Sequence, residues 1–208
     1  MGQEIETARL RLRLFTPDDL DDLALIYSDP DVVRYMGAGN PATREETATA
    51  LASIIRHWRR NGFGRWAVVD KVTCRLIGYG GLRNLDGVPE LVYLLAKSHW
   101  GFGLATEIGQ ACFRFGFRER GFESIVALVK SDNGASKRVL EKLGMNFERA
   151  ANYFNYEVLK YSISLAQYQP QAPHHGHPPA TRLPENISVP PPQQPYRHLR
   201  PDFQTIQP

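Results

Sequence analysis

Two glycines, Gly101 and Gly103, separate an apolar segment with strand character from an amphipathic helix, and they constrain the fold of this 208-residue chain more than any other feature. The helix that follows them has apolar residues at Leu104 and Ile108, one helical turn apart. A glycine turn just before a helix leaves several backbone N–H groups without partners, at the positive end of the helix dipole. The turn therefore predicts an anion site, and a pyrophosphate group suits it best.

The same turn lies between two predicted strands, at residues 91–96 and 124–129. A strand, a helix and a second parallel strand form a right-handed crossover. Before them, residues 65–69 and 76–82 also have strand character, and with residues 91–96 they predict an antiparallel meander. The strictly alternating run at residues 9–14 predicts a half-buried first strand.

Helix start and stop signals divide the remaining folded segments. Thr16-Pro17 predicts the start of a first helix, and the capping box from Thr43 to Glu46 begins a second one that ends at Gly62. Gly144 ends a helix at residues 135–143, and two strands follow at residues 145–151 and 156–164. The predicted order is β-α-α-β-β-β-α-β-α-β-β. It indicates an α/β (α+β) fold with a mixed, twisted, mostly antiparallel sheet and helices on both faces.

The composition changes sharply near residue 169. Eleven of the fifteen prolines and four of the six histidines lie beyond that point. Such a segment buries too little apolar surface to offset its ordering entropy, so we expect a folded domain at residues 1–168 and a disordered tail at residues 169–208. His174, His175 and His177 lie in this tail, where only adventitious metal binding is expected, and the sequence predicts no metal site.

Overall charge and hydropathy exclude several classes of protein. A net charge of +3 gives no reason to expect a nucleic-acid partner, and no run of eighteen apolar residues indicates a membrane span. The N-terminus lacks the apolar core of a signal peptide, so we expect a cytoplasmic protein. Cys74 and Cys112 are both expected to be buried free thiols.

Three motifs, in this order of elements, resemble the GNAT superfamily of acyl-CoA N-acyltransferases, in particular the branch that acetylates ribosomal-protein N-termini. The turn Trp100-Gly101-Phe102-Gly103-Leu104-Ala105, followed by Thr106-Glu107, is similar to the family's Arg/Gln-x-x-Gly-x-Gly/Ala motif, with the Trp-Gly-x-Gly that this branch commonly has. Asn133-Gly134-Ala135-Ser136 resembles the start of the second cofactor-side helix. Thr7-Ala8-Arg9-Leu10-Arg11-Leu12-Arg13 resembles the first strand of the branch. The resemblance covers about residues 7–166.

The resemblance implies acetyl-CoA as the acyl donor. Backbone amides of the glycine turn would hold its pyrophosphate, and amides exposed where residues 90–96 splay from the parallel neighbour strand would hold the thioester oxygen and pantetheine arm. The predicted cofactor-binding residues are Leu94, Leu95, Gly101, Phe102, Gly103, Leu104, Ala105, Thr106, Asn133 and Ser136.

The resemblance also suggests the catalytic residues. Glu90, at the head of its strand, is expected to act as the general base, directly or through a water; its alternative is an exposed turn carboxylate beside Pro89. Many superfamily members have a general-acid Tyr seven residues after the Asn of the second helix, but this chain has Leu140 there. The resemblance to the branch suggests Ser136 instead, which would hydrogen-bond the CoA sulfur or supply its proton, with packing or capping as its alternative. Asn133 has a helix cap as its alternative role.

The acceptor is expected to contact Tyr35, Met36, Tyr153 and Tyr156, in the connection between the first two helices and in the last hairpin. These residues form aromatic walls with few charges. The predicted activity is acetyl transfer to a primary amine, on a protein N-terminus or a small molecule, by direct attack in a ternary complex. No nucleic-acid or membrane partner is expected, and the chain is predicted to be a monomer or homodimer. The alternative is a non-catalytic acyl-CoA-binding module with a proline-rich interaction tail.

Overall fold

An eight-stranded sheet crosses the folded part of the chain, in the strand order β1-β2-β3-β4-β5-β6-β8-β7. The computed structural model describes residues 4–153 and 155–168. Most neighbouring strands are antiparallel, while β5 and β6 are parallel. The strands are β1 (Ile5–Glu6), β2 (Leu10–Arg13), β3 (Arg65–Asp70), β4 (Leu76–Leu85), β5 (Val88–Leu95), β6 (Ser124–Lys130), β7 (Asn146–Tyr153) and β8 (Tyr156–Ser164). This arrangement confirms the predicted mixed sheet with a central parallel crossover.

Five α-helices accompany these strands in the described residues: α1 (Leu20–Tyr27), α2 (Pro30–Val33), α3 (Arg44–Asn61), α4 (Leu104–Arg114) and α5 (Gly134–Lys142). The capping box at Thr43 and Glu46 is formed, and Gly62 ends α3 in the left-handed conformation at φ 69°. Three features were not predicted: the short β1, the four-residue α2, and a π-helical turn at Phe115–Glu119 that extends α4. All three are too short to produce a periodic sequence pattern. The tail predicted at residues 169–208 lies outside the described residues.

Alternating residues of the central strands pack on opposite faces of the sheet. On one face, Trp66 and Leu91 belong to a core cluster with α4 and α5 residues such as Ile108 and Leu140. On the other face, Ala67 belongs to a second cluster with α1 and α3 residues. Because side chains alternate along a strand, this division places helices on both faces, as predicted. Trp66 has no exposed surface and lies in the core.

The parallel pair at the centre of the sheet is short. Glu90 pairs with Val126, and this is the single register pair that joins β5 to β6 in the described structure. On their other sides, β5 pairs with β4 over its whole length and β6 pairs with β8 over seven residues. The two strands therefore separate beyond Glu90, and a gap opens between them toward the glycine turn. This is the splay that the resemblance implied.

The two cysteines differ in environment. Cys112 is buried in α4, and burial raises the pKa of its thiol, so this prediction was correct. Cys74 is exposed, which corrects the prediction of a buried thiol. It lies in the tight turn between β3 and β4, where its backbone has a φ of 55°. The apolar neighbours in the sequence belong to the strands, and the turn itself faces solvent. No helix among the described residues has both the length and the apolar character needed to cross a membrane.

Candidate active site

The glycine turn has the geometry that an anion site requires. Gly101 and Gly103 have φ values of 83° and 75°, in the left-handed region that glycine adopts without strain. A Cβ added at Gly101 would meet no heavy atom within 4 Å, and one added at Gly103 would meet only Arg9 Nη2, at 3.8 Å. No side-chain hydrogen bond caps α4 at Gly103. Both glycines thus have open space at the Cβ position and no side chain caps the helix, two features that favour a phosphate site at a helix N-terminus.

A network that the sequence reasoning missed supports this turn. Arg9 in the N-terminal segment donates from Nη1 to the carbonyl oxygen of Phe102 at 2.7 Å and forms an ion pair with Glu107 at 2.7 Å. Thr7 Oγ1 donates to Glu107 at 2.6 Å, and the Arg9 backbone N–H donates to it at 2.9 Å. The network ties the first turn of α4 to the segment that leads into β2. An acidic residue in the first turn of a helix was the available signal, but its partners lie about a hundred residues away in sequence.

Glu107 is charged because of these contacts. Burial on its own raises the pKa of its carboxyl group, but the hydrogen bonds from Thr7 and Arg9 together outweigh burial and hold the pKa below its ordinary value. Its side chain is only 14% exposed, whereas that of Arg9 is 44% exposed. Glu107 is therefore a structural carboxylate that orients Arg9 beside the turn.

Trp100 stands where the wider family pattern has Arg or Gln, and its contacts explain this difference. Its indole Nε1 donates to the carbonyl oxygen of Leu95 at 2.7 Å, across the turn between β5 and α4. The side chain at this position therefore forms a hydrogen bond with the last residue of β5. Both Trp100 and Phe102 expose about half of their surface, at 46% and 54%. Two large apolar side chains thus lie uncovered on either side of Gly101.

The hydrogen-bond pattern of β5 distinguishes Leu94 from Leu95. Ala96 N–H donates to Ile77 O on β4 at 2.8 Å, and Leu95 is paired with Gly78. Amides alternate in direction along an antiparallel strand, so the Leu94 amide is directed toward β4 and the Leu95 amide toward the gap beside β6. Of the two amides predicted to hold the thioester oxygen, Leu95 is the one available on the gap side.

Across this gap, the start of α5 meets β5. Asn133 accepts from the backbone N–H of Ser136 at 3.0 Å, so Asn133 does cap the helix. The Ser136 hydroxyl lies 2.6 Å from the hydroxyl of Tyr93, a β5 residue that the sequence reasoning did not select. Burial raises the pKa of Tyr93 to about 12, although the hydrogen bond with Ser136 acts in the opposite direction. Leu140 is 1% exposed within the core, so its position contributes no polar group to the site.

Glu90 is buried, and the alternative of an exposed turn carboxylate is therefore wrong. It is 2% exposed and lies opposite Arg83 on β4, whose Nε donates to Glu90 Oε2. The side chain lies on the same face of the sheet as α1 and α3, at the point where β5 and β6 separate. The pair places a carboxylate at the closed end of the gap, with its charge balanced by a guanidinium group.

Two of the residues predicted to contact the acceptor, Tyr35 and Tyr156, lie at the end of β6. Tyr35 donates from its hydroxyl to Asp132 O at 3.4 Å, and Lys130 donates to Gly37 O at 2.7 Å. The Lys130 ammonium also lies 4.6 Å from the ring centre of Tyr156. The helix connection and the last hairpin therefore meet at Lys130, which the sequence reasoning missed. Met36 and Tyr153 are half-buried in the same two segments.

Comparison with known proteins agrees with this geometry. A family model described as the acetyltransferase (GNAT) domain matches residues 9–146. The uncharacterized N-acetyltransferase YoaA of Bacillus subtilis (strain 168) is 30% identical over 156 residues, which make up 74% of this chain and 88% of YoaA.

Two solved structures share the fold. One is an acetyltransferase of the GNAT family from Bacillus anthracis, with a TM-score of 0.70 and 24% identity. The matched region makes up 79% of this chain and 99% of the Bacillus anthracis chain. The other is the ribosomal L7/L12 α-N-protein acetyltransferase RimL in complex with coenzyme A, at a TM-score of 0.69 and 18% identity, with coverage of 78% and 98%.

The fold and the extent of the family match define the class of the protein. The chain belongs to the GNAT acetyltransferase family. It is an N-acetyltransferase, with acetyl-CoA as the acyl donor that is typical of this family.

Proposed function

We propose that this protein transfers the acetyl group of acetyl-CoA directly to a primary amine, on a protein N-terminus or a small molecule, within a ternary complex. The observation that supports this most is the gap between β5 and β6, which runs from the buried Glu90 to the open glycine turn. Each chemical requirement of acetyl transfer has a matching group along it. The solved RimL neighbour contains coenzyme A and acts on a ribosomal protein, which supports the same donor and the N-terminal acceptor here.

The donor is held at the turn and along β5. The amides from Gly101 to Thr106 bind the pyrophosphate, because no side chain caps α4 at Gly103 and these N–H groups lie at the positive end of the α4 dipole. The Leu95 amide, directed into the gap, donates to the thioester oxygen and stabilises the negative charge that develops there. Leu94 contributes packing in this assignment, since its amide is directed to β4.

The acceptor enters from the side of the α2–α3 connection and the β7–β8 hairpin. Tyr35 and Tyr156 form the walls, and Met36 and Tyr153 complete them. Glu90 removes a proton from the ammonium group, directly or through a water. The neutral amine nitrogen then attacks the thioester carbon, so that a C–N bond forms, the C–S bond breaks to release the CoA thiolate, and the extra proton on the new amide nitrogen passes to water.

The leaving thiolate needs a hydrogen-bond donor, and Ser136 supplies it. Tyr93 keeps its proton at neutral pH, since its pKa is raised to about 12, and so it can donate to Ser136 while Ser136 donates to the sulfur. A phenol of such a high pKa is a weak acid, which makes this pair better suited to stabilising the thiolate than to protonating it outright. This arrangement replaces the Tyr that many family members have at the position of Leu140.

Two measurements test the proposal. Calorimetric titration with acetyl-CoA should show one site per chain, and absence of binding at millimolar cofactor would exclude the donor assignment. A panel of N-terminal peptides and small amines, followed by release of free thiol, should contain at least one acceptor that turns over. Cofactor binding without turnover of any member would instead favour a non-catalytic acyl-CoA-binding module.

A further inference from the structure

A second polar pocket lies beside Glu90, on the face of the sheet that α3 covers. It has a volume of about 90 Å³ and is lined by Ser53, Ile54, His57, Arg65, Arg83 and Asn84. Ser53 and Asn84 are exposed, so the mouth of the pocket is open to solvent. The volume accommodates a small functional group rather than a whole acceptor molecule.

Arg65, one of the residues that line this pocket, has a side-chain donor without a partner. Arg65 Nε is buried and makes no hydrogen bond. Within residues 4–153 and 155–168, no carboxylate forms an ion pair with Arg65, and its guanidinium group instead lies 5.3 Å from the ring centre of Tyr79. A buried, unpaired donor on a charged group is costly, so such groups are normally satisfied. Arg65 therefore has an unfilled requirement for an acceptor of hydrogen bonds.

His57 does not supply a hydrogen-bond acceptor to Arg65. Its ring is also neutral, so it does not compete with Arg65 for a negatively charged group. Its Nδ1 lies 2.9 Å from Phe63 O, and its Nε2 accepts from the Asn84 backbone N–H at 3.1 Å. These two bonds together require the neutral tautomer with a proton on Nδ1. Burial lowers the pKa of His57, and the nearby charges of Arg65 and Arg83 lower it further. Both ring nitrogens are thus already occupied.

The charges of the pocket sum to one unbalanced positive charge. Arg83 is neutralised by Glu90 across β4 and β5. Arg65 lies opposite Gly81, two residues along β4 from Arg83 and on the same face. From strand spacing and rise, the Cα atoms of Arg65 and Glu90 are about 12 Å apart, and their long side chains shorten that span. The two side chains therefore lie within the length of one small molecule.

We infer that this pocket binds a carboxylate group of the acceptor, so that the acceptor is an amine that also carries a carboxylate. A carboxylate matches the planar donor array of a guanidinium group and would satisfy Arg65 Nε. The amine of the same molecule then extends toward Glu90. This inference rests on the proposed function of Glu90 as the base and narrows the substrate class of that site.

The test uses pairs of acceptors that differ only in charge. A series of ω-amino acids from glycine to 6-aminohexanoate is compared with the corresponding amides, with the wild-type enzyme and three variants. For at least one chain length, kcat/KM for the acid should exceed that for the amide at least tenfold in the wild type. Arg65→Gln should bring this ratio close to one, whereas Arg65→Lys, which keeps the charge, should retain part of the preference.

Arg60→Gln is the matched control, because Arg60 is an exposed arginine near the end of the same helix α3. It should leave the ratio unchanged. Equal use of acids and amides at every length, or a preference that survives Arg65→Gln, would overturn the inference while leaving acetyl transfer intact.

A binding readout covers the case in which no member of the series turns over. Trp58 donates to Arg65 O at 2.7 Å, so we expect binding at Arg65 to change the Trp58 fluorescence. Acids should change the fluorescence in a saturable way that Arg65→Gln abolishes, and amides should not. Saturation by acids and amides alike would contradict the carboxylate assignment. Failure of every amine in the turnover assay, with carboxylate binding intact, would count against the proposed function alone.

Discussion

The hydroxyl groups of Tyr93 and Ser136 lie 2.6 Å apart, although the residues are separated by 43 positions in sequence. Tyr93 is on β5 and Ser136 is in the first turn of α5, so the contact joins the two sides of the gap at the middle of the sheet. The Ser136 hydroxyl is therefore oriented by the protein rather than free to rotate. In the proposed mechanism, Tyr93 on the strand supplies a phenol, whereas many members of the superfamily have a Tyr on the second helix.

Tyr93→Phe should lower kcat by about two- to tenfold, because loss of one hydrogen bond costs about 0.5–1.5 kcal/mol. Ser136→Ala should lower kcat at least as much, and the double variant should be no worse than Ser136→Ala, since the two residues act through one contact. Cofactor affinity should change little in each. Tyr161→Phe, which removes a phenol from the same core cluster, is the control and should keep full activity. Additive losses in the double variant would show that the two residues act independently, which would contradict this prediction.

Gly103→Ala should raise the dissociation constant of acetyl-CoA at least about tenfold, or 1.4 kcal/mol. The added Cβ meets no close protein atom, so the loss arises where the cofactor approaches the backbone. Gly121→Ala provides the comparison, since Gly121 has a φ of 67° and equally open surroundings, away from the turn. Both variants bear similar backbone strain, and only the first should weaken cofactor binding. Calorimetry that gives the same dissociation constant for both would refute the assignment of the turn.

Glu90→Gln should lower kcat by about 10²-fold or more and leave the dissociation constant of the cofactor nearly unchanged. The amide keeps the shape of the side chain and a hydrogen bond to Arg83, but it cannot accept the proton of the acceptor. Glu148→Gln is a suitable control because it weakens a different cross-strand ion pair, with Lys160 at 2.9 Å. Rates are measured from pH 6 to 9. A variant that matches the wild type throughout that range would remove Glu90 from the mechanism and leave a purely structural pair.

Glu107→Gln should destabilise the fold by about 1–3 kcal/mol at pH 7, the range expected for hydrogen bonds to a charged group. The folded-state pKa of Glu107 lies below its ordinary value of 4.5, so the native state binds this proton less readily than the unfolded chain does. Its contribution is therefore complete above about pH 4.5 and is lost as the pH falls through the folded-state pKa. Denaturant unfolding of both proteins at pH 7 and pH 3.5 should show the difference shrink. A difference independent of pH would show that the charge is not its origin.

The sequence predicted the parts of the fold that depend on local patterns. The alternation near Leu12, the capping box at Thr43 and the stop at Gly62 each determine an element on their own, and all three appear in the structure. The site depends more on long-range contacts. The partners of Glu107 lie in the segment before β2 and the partner of Ser136 lies on β5, and no local spacing indicates them. Resemblance to a family identified the turn and the splay, but the residues that orient them became visible only in three dimensions.

The exposed turn between β3 and β4 has a practical consequence for measuring this enzyme. Cys74 is the accessible one of the chain's two cysteines, because Cys112 is enclosed in α4. Reagents that detect released coenzyme A by its sulfhydryl will therefore also react once with each enzyme molecule. Replacing this exposed Cys74 with serine removes that background reaction from such assays. The unmodified chain, conversely, accepts a single dye or crosslinker at a defined point.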